Sequence, residues 1–126
     1  MDLKKYIRSI PDYPKKGILF RDITTLIKDE NAFEETINQI VERSKKFSFT
    51  KIAAIESRGF VFASAVSFVL KKPFIMLRKK NKLPADVHSV DFELEYGTAT
   101  IEVHKDSINE KDEVLIIDDL IATGGT

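Results

Sequence analysis

The chain has 126 residues, 43% of them hydrophobic, enough to build one core and not two. Lys plus Arg and Asp plus Glu both number 20, so the formal charge is zero, which argues against a general nucleic-acid or membrane-surface binder. Cysteine is absent, which excludes a disulfide framework and a thiolate metal site and suits a reducing, cytoplasmic setting. Met1-Asp2-Leu3-Lys4-Lys5 lacks the apolar core of a signal peptide, and the longest apolar-rich run, residues 60–70, is too short to span a bilayer.

Leu3, Tyr6, Ile7 and Ile10 recur at helical spacing and predict one short helix over residues 3–10. Pro11 and Pro14 end it, and the stretch to Gly17 reads as an irregular connector. Residues 18–24, Ile-Leu-Phe-Arg-Asp-Ile-Thr, fit either a short strand or a buried loop; Phe20 beside Arg21 is either core or an exposed aromatic with a purpose. Asn31 is suited to cap a helix over residues 32–46, with Glu34 and Glu35 at its positive end and Phe33, Ile37, Ile40, Val41 and Ser44 along one face. That helix is expected to cover a sheet and do no chemistry.

Residues 51–55, Lys-Ile-Ala-Ala-Ile, predict the first parallel strand, Glu56-Ser57-Arg58-Gly59 a tight turn, and residues 60–70 the next helix. Arg58 thus falls at a strand's carboxyl end beside a helix amino terminus, a place that favours an anion, unless it is a surface residue paired with Glu56. Lys72-Pro73 breaks the helix, and residues 74–77 predict a second buried strand. A basic loop follows, with Arg78, Lys79, Lys80 and Lys82 on the same rim; it is either solvated or gathered to meet a highly anionic ligand. From Asp91 to Val103, Phe92, Leu94, Ala99, Ile101 and Val103 alternate with Glu93, Thr100 and Glu102, which predicts a hairpin with one apolar face, a candidate lid. His88 and His104 have no metal-ligand spacing and are given no role.

The final stretch carries the chemistry. Val114-Leu115-Ile116-Ile117 predicts a buried parallel strand, and Asp118 and Asp119 stand at its carboxyl end, where open α/β sheets bind ligands. In Ala122-Thr123-Gly124-Gly125-Thr126, the glycines allow backbone N–H groups close to an anion and the threonines add hydroxyl donors. The carboxylates suit sugar hydroxyls or a hydrated cation. The pattern describes a pocket for a phosphorylated sugar, with a plain turn and linker as the bland alternative.

This last motif resembles the phosphoribosyl-pyrophosphate motif of the type I phosphoribosyltransferases. Asp12-Tyr13-Pro14, residues 17–24, Glu56-Ser57-Arg58-Gly59-Phe60, Arg78-Lys79, Lys82-Leu83-Pro84 and Leu94-Glu95-Tyr96-Gly97 extend the resemblance, in order and spacing, to the adenine phosphoribosyltransferases across nearly the whole chain. The resemblance implies an α/β, parallel-sheet type I phosphoribosyltransferase fold with a β-flap lid, in one domain over residues 1–126. It implies transfer of the 5-phosphoribosyl group from phosphoribosyl pyrophosphate to adenine N9, giving AMP and pyrophosphate in adenine salvage. Asp118 and Asp119 would hold the ribose hydroxyls, Ala122, Thr123, Gly124, Gly125 and Thr126 the 5-phosphate, and Arg58, Arg78, Lys79 and Lys82 the pyrophosphate. In the family the peptide before the Ser of Glu-Ser-Arg-Gly is cis. Phe20 would stack on adenine and the backbone of Leu19 and Arg21 would read its edge. Glu95 and Tyr96 would belong to the lid, with Glu95 managing the purine proton. Mg²⁺ would be held by substrate and water with no direct protein ligand, and the full-length enzyme would be a homodimer. Asn81 departs from the family's usual Gly. The family also continues past residue 126 with a helix and further strands, so the resemblance implies a piece of a longer enzyme, weakly active or inactive alone. A transferase for another purine such as xanthine, or a non-catalytic sensor of phosphoribosyl pyrophosphate, remain alternatives.

Overall fold

Ile52, Ala53 and Ala54 are almost wholly buried, and the larger sheet is built around them. The computed structural model describes residues 1–94, 97–121 and 124–126. Its backbone falls into two compact units, Met1–Ser44 and Lys45–Thr126.

In the first unit the expected helix over residues 3–10 is not formed. A single 3₁₀ turn, Leu3–Tyr6, gives way to strand β1, Arg8–Pro11, which pairs antiparallel with β2, Leu19–Asp22. The apolar spacing suits a helix, but pairing decides: β2 supplies a ladder, and Asp22 accepts hydrogen bonds from Arg8 Nε at 2.9 Å and Nη2 at 2.5 Å. A short helix α1, Thr24–Ile27, follows, and then α2, Glu30–Ser44. Helix α2 begins two residues before the predicted start, because Asp29 and not Asn31 caps it: Asp29 Oδ1 accepts from Ala32 N–H at 2.9 Å. Ala32, Ile37 and Ser44 are its buried residues.

In the second unit, β3, Lys51–Ile55, lies between two parallel neighbours, β4, Phe74–Lys79, and β7, Val114–Ile116. Helix α3, Arg58–Leu70, links β3 to β4 and packs Phe62, Ala63 and Val66 inward. It starts two residues earlier than predicted and ends at Lys71, whose φ of +55° closes it by an N–H bond to Ser67 O. Its outer face is also apolar, with Val61, Phe68 and Val69 exposed.

The hairpin β5, Val87–Leu94, and β6, Gly97–His104, extends the sheet, β6 running antiparallel to β4 through Arg78↔Glu102 and Lys79↔Ile101. The strand order is β5-β6-β4-β3-β7. Two expectations of burial are corrected. As an edge strand, β7 leaves Ile116 59% exposed. Glu102, placed by alternation on the hairpin's polar row, is only 7% exposed, because it turns to the neighbouring backbone. Among the described residues, no helix is long and apolar enough to cross a membrane.

Candidate active site

The apolar run of β3 stops at Ile55, and Glu56-Ser57 turns the chain through a cis peptide into α3. Two residues on, Gly59 lies against the end of the β7 segment, where Ile117 N–H still donates to Ala53 O at 3.0 Å. A Cβ on Gly59 would come 2.9 Å from Asp118 Oδ1 and 3.3 Å from Ile117 O. The absence of a side chain there lets the two strand ends converge.

Between those ends is a cavity of about 250 Å³ lined by Ser57, Arg58, Asp118, Asp119, Gly124 and Thr126, among others. Arg58 Nε forms an ion pair with Asp119 Oδ2 across the cavity at 3.0 Å. Asp119 N–H also donates to Asp118 Oδ1 at 2.8 Å. Burial, and then a hydrogen bond shared with Asp118, raise the Asp119 carboxyl above its ordinary range, with the Arg58 charge acting the other way. Asp118 itself is exposed on the cavity wall. Gly124 has φ of +84°, a left-handed conformation that favours glycine. Gly125 is exposed beside it. Ala122 and Thr123 lie outside the described residues.

A second cavity, of about 550 Å³, shares Ile55, Glu56 and Thr126 with the first. Lys79, Lys80 and Lys82 line it on one side, and Phe92, Leu94, Ala99 and Ile101 present the hairpin's apolar face to it on the other. Arg78 is engaged with Glu56, Nη2 to Oε2 at 3.6 Å. Glu95 and Tyr96 lie outside the described residues.

The residues expected to meet a purine belong to the first unit. Leu19, Phe20 and Arg21 are consecutive in β2. Phe20 is half-buried, edge-on to Tyr13 with ring centroids 5.1 Å apart, while Leu19 is 52% exposed. Arg21 Nη1 donates to Ser9 Oγ across the β1–β2 pair.

Residues 23–126 match the family model described as Phosphoribosyl transferase domain. The adenine phosphoribosyltransferase of Pelagibacter ubique is 84% identical over 126 residues, covering 100% of this chain and 72% of that protein. The chain belongs to the adenine phosphoribosyltransferase family. Among solved structures, an adenine phosphoribosyltransferase from Thermoanaerobacter pseudethanolicus superposes with a TM-score of 0.95 at 47% identity, covering 98% of this chain and 72% of that one. The Saccharomyces cerevisiae enzyme, solved with adenine and an imino-altritol bisphosphate, gives 0.90 at 33% identity, with coverage of 98% and 73%.

Two details follow the family. The cis Glu56–Ser57 peptide is the one the resemblance implied. Asn81, in place of the usual glycine, has φ of +67°, a conformation that asparagine tolerates better than most residues. Sequence reasoning passed over Gly59, Glu56 and Glu102. Gly59 had a usable signal, a residue without a side chain where a helix start must approach a neighbouring strand; the two acids had none of their own, since their partners lie far away in the chain.

Proposed function

We propose that this chain carries out adenine salvage, transferring the 5-phosphoribosyl group from phosphoribosyl pyrophosphate to adenine N9 with release of pyrophosphate. The observation that carries the reading is the pair of carboxylates, Asp118 and Asp119, facing Arg58 across one cavity at the carboxyl ends of β3 and β7. Asp118 and Asp119 would accept the ribose hydroxyls, with Ala122, Thr123, Gly124, Gly125 and Thr126 around the 5-phosphate. Arg58, Lys79 and Lys82, with Arg78 behind them, would receive the pyrophosphate. Leu19, Phe20 and Arg21 would receive adenine.

In the reaction, N9 attacks the anomeric carbon as its bond to the pyrophosphate oxygen breaks, and the leaving group takes the electron pair. The sugar ring gains positive character, which the nearby carboxylates of Asp118 and Asp119 stabilise, while Arg58 and the lysines offset the growing charge on the departing oxygens. Glu95 would take up the purine proton, and closure of the hairpin with Tyr96 would keep water from the same carbon. The donor set fits a hydrated Mg²⁺: Asp118 offers an exposed carboxylate that can accept from its water ligands. When bound with the substrate, Mg²⁺ would neutralise pyrophosphate charge.

The setting would be cytoplasmic, as a single phosphoribosyltransferase domain assembled as a homodimer. The exposed apolar stripe Val61, Phe68 and Val69 on α3 supports a second copy covering it. Phe68, 85% exposed, can be changed with a stability effect within about 0.5 kcal/mol. Phe68→Glu should therefore keep the circular dichroism of the folded chain and shift sedimentation toward the monomer, with only the part of the melting temperature that depends on protein concentration lost; a dimer that persists would remove α3 from the interface.

The test of the function is AMP formation from adenine and phosphoribosyl pyrophosphate with Mg²⁺, followed chromatographically beside a panel of xanthine, hypoxanthine and guanine. Adenine-specific product is expected. Preference for another base would overturn the substrate assignment, and binding of phosphoribosyl pyrophosphate without any transfer by the chain extended to family length would favour a sensor.

A further inference from the structure

The basic loop carries Arg78, Lys79, Lys80 and Lys82 in five residues, and these charges repel one another. Two carboxylates from different elements hold its backbone. Glu56, from the turn after β3, accepts Lys79 N–H at 2.6 Å through Oε1, while its Oε2 lies 3.6 Å from Arg78 Nη2. Glu102, from β6, accepts Asn81 N–H at 2.8 Å through Oε1 and the Ser89 hydroxyl at 2.6 Å through Oε2. Both side chains are largely withdrawn from water, Glu56 at 13% and Glu102 at 7% exposure. Arg78 Nε, between them in the chain, is buried without a hydrogen-bond partner. The far end of the loop is tied as well, by Ala85 N–H to His104 Nε2 at 3.3 Å.

Such placement is costly unless it does something. A carboxylate taken from water must be repaid by hydrogen bonds or charge partners. Here each acid repays the cost with a loop N–H and a second contact. Both carboxyls are held below their usual range, Glu102 first by the Ser89 hydroxyl and Glu56 first by the Lys79 N–H. The two acids leave Lys79 and Lys82 on the wall of the second cavity, beside the cavity that holds Arg58.

We propose that Glu56 and Glu102 are positioning residues: a two-point brace that fixes the basic loop, so that its lysines meet the pyrophosphate group without first ordering the loop. This rests on the proposed function for the identity of the ligand. Each acts through a backbone N–H of the loop.

The brace and simple charge arithmetic predict opposite signs. Deleting a carboxylate beside an anion site should tighten anion binding if charge alone matters, and should weaken it if the carboxylate holds the loop. The experiment is calorimetric titration of the whole chain and of Glu102→Ala, Glu56→Ala and Glu102→Gln with inorganic pyrophosphate and Mg²⁺, and separately with AMP, which needs the 5-phosphate loop but not the basic loop. Each alanine variant should weaken pyrophosphate about tenfold, the loss of a charge-assisted hydrogen bond, and leave AMP within about twofold. Glu102→Gln keeps an acceptor for Asn81 N–H and should return pyrophosphate binding to near the wild-type value. Unchanged or tighter pyrophosphate binding in the alanine variants, or equal weakening of both ligands, would overturn the brace. If both alanine variants lose their circular dichroism, the acids support the fold and not the loop, and the proposal falls. Pyrophosphate binding that responds as expected in a chain that makes no AMP would leave the brace standing and refute the transferase reading alone.

Discussion

Gly59 shows how one absent side chain can separate stability from function. In a helix, alanine is favoured over glycine by up to about 1 kcal/mol. A methyl group here would press on Asp118 Oδ1 at 2.9 Å, the end of an exposed side chain that can swing aside, and on the backbone oxygen of Ile117 at 3.3 Å, which can shift only slightly. The two effects nearly cancel in stability, yet the swing moves a carboxylate proposed to hold the ribose. Gly59→Ala is therefore expected to keep its melting temperature within a few degrees and to lower affinity for phosphoribosyl pyrophosphate about tenfold. Calorimetry and thermal unfolding on one sample check both halves, and an unaltered affinity would show that Asp118 does not hold the sugar.

Asp22 carries a pH dependence of the opposite kind, in stability and not in binding. The Thr24 hydroxyl, then the Thr24 N–H, then Arg8, lower its carboxyl to about 2. A group whose acidity increases on folding stabilises the fold fully above its unfolded value, about 3.9, and loses that contribution as pH falls through its folded value. Acid unfolding should thus steepen between about pH 4 and pH 2. Asp22→Asn should flatten that part of the stability curve in a urea titration series, and an identical curve would show that the Arg8–Asp22–Thr24 cluster contributes little.

At the scale of elements, legibility followed the range of the deciding interaction. Strands β3 and β4 were readable because continuous apolar runs between turn residues need no knowledge of partners. The hairpin was readable from its alternation. Strand β1 was not, since Leu3, Tyr6, Ile7 and Ile10 satisfy helical spacing and only the pairing with β2, which brings Arg8 onto Asp22, overrides it. The start of α2 was missed by two residues because Asp29 and Asn31 are both good caps and sequence alone does not choose. The structure chooses Asp29, which predicts that Asp29→Ala costs about 1 kcal/mol in thermal unfolding and Asn31→Ala a few tenths at most. The reverse order would restore Asn31 as the cap. The site followed the same rule. Asp118, Asp119, Arg58 and Gly124 stand in short motifs and were legible, whereas Glu56 and Glu102 gain their meaning from Lys79 and Asn81, some twenty residues away.

For the molecule as a whole, the zero net charge conceals a strong local pattern. The cations of the basic loop and Arg58 gather at one rim of the second unit, while Asp118 and Asp119 stand opposite Arg58. A rim of this kind steers an anion at a rate that salt reduces, although the whole chain would not migrate as a basic protein. The hairpin adds a mechanical consequence. Strand β6 is joined to β4 at Ile101 and Glu102, and Gly97–Thr100 have β5 as their paired strand among the described residues. Amide hydrogen exchange should consequently grade along the ladder, slowest near Ile101 and Glu102 and fastest toward Leu94 and Gly97; uniform protection would mean that the far end is clamped by something else. The hairpin is then a lever whose fulcrum is Glu102, the same side chain that grips Asn81. A push at its outer end would reach the basic loop by two routes, the Glu102 carboxylate and the Lys79↔Ile101 pairing, so hairpin and lysines are coupled through the sheet itself.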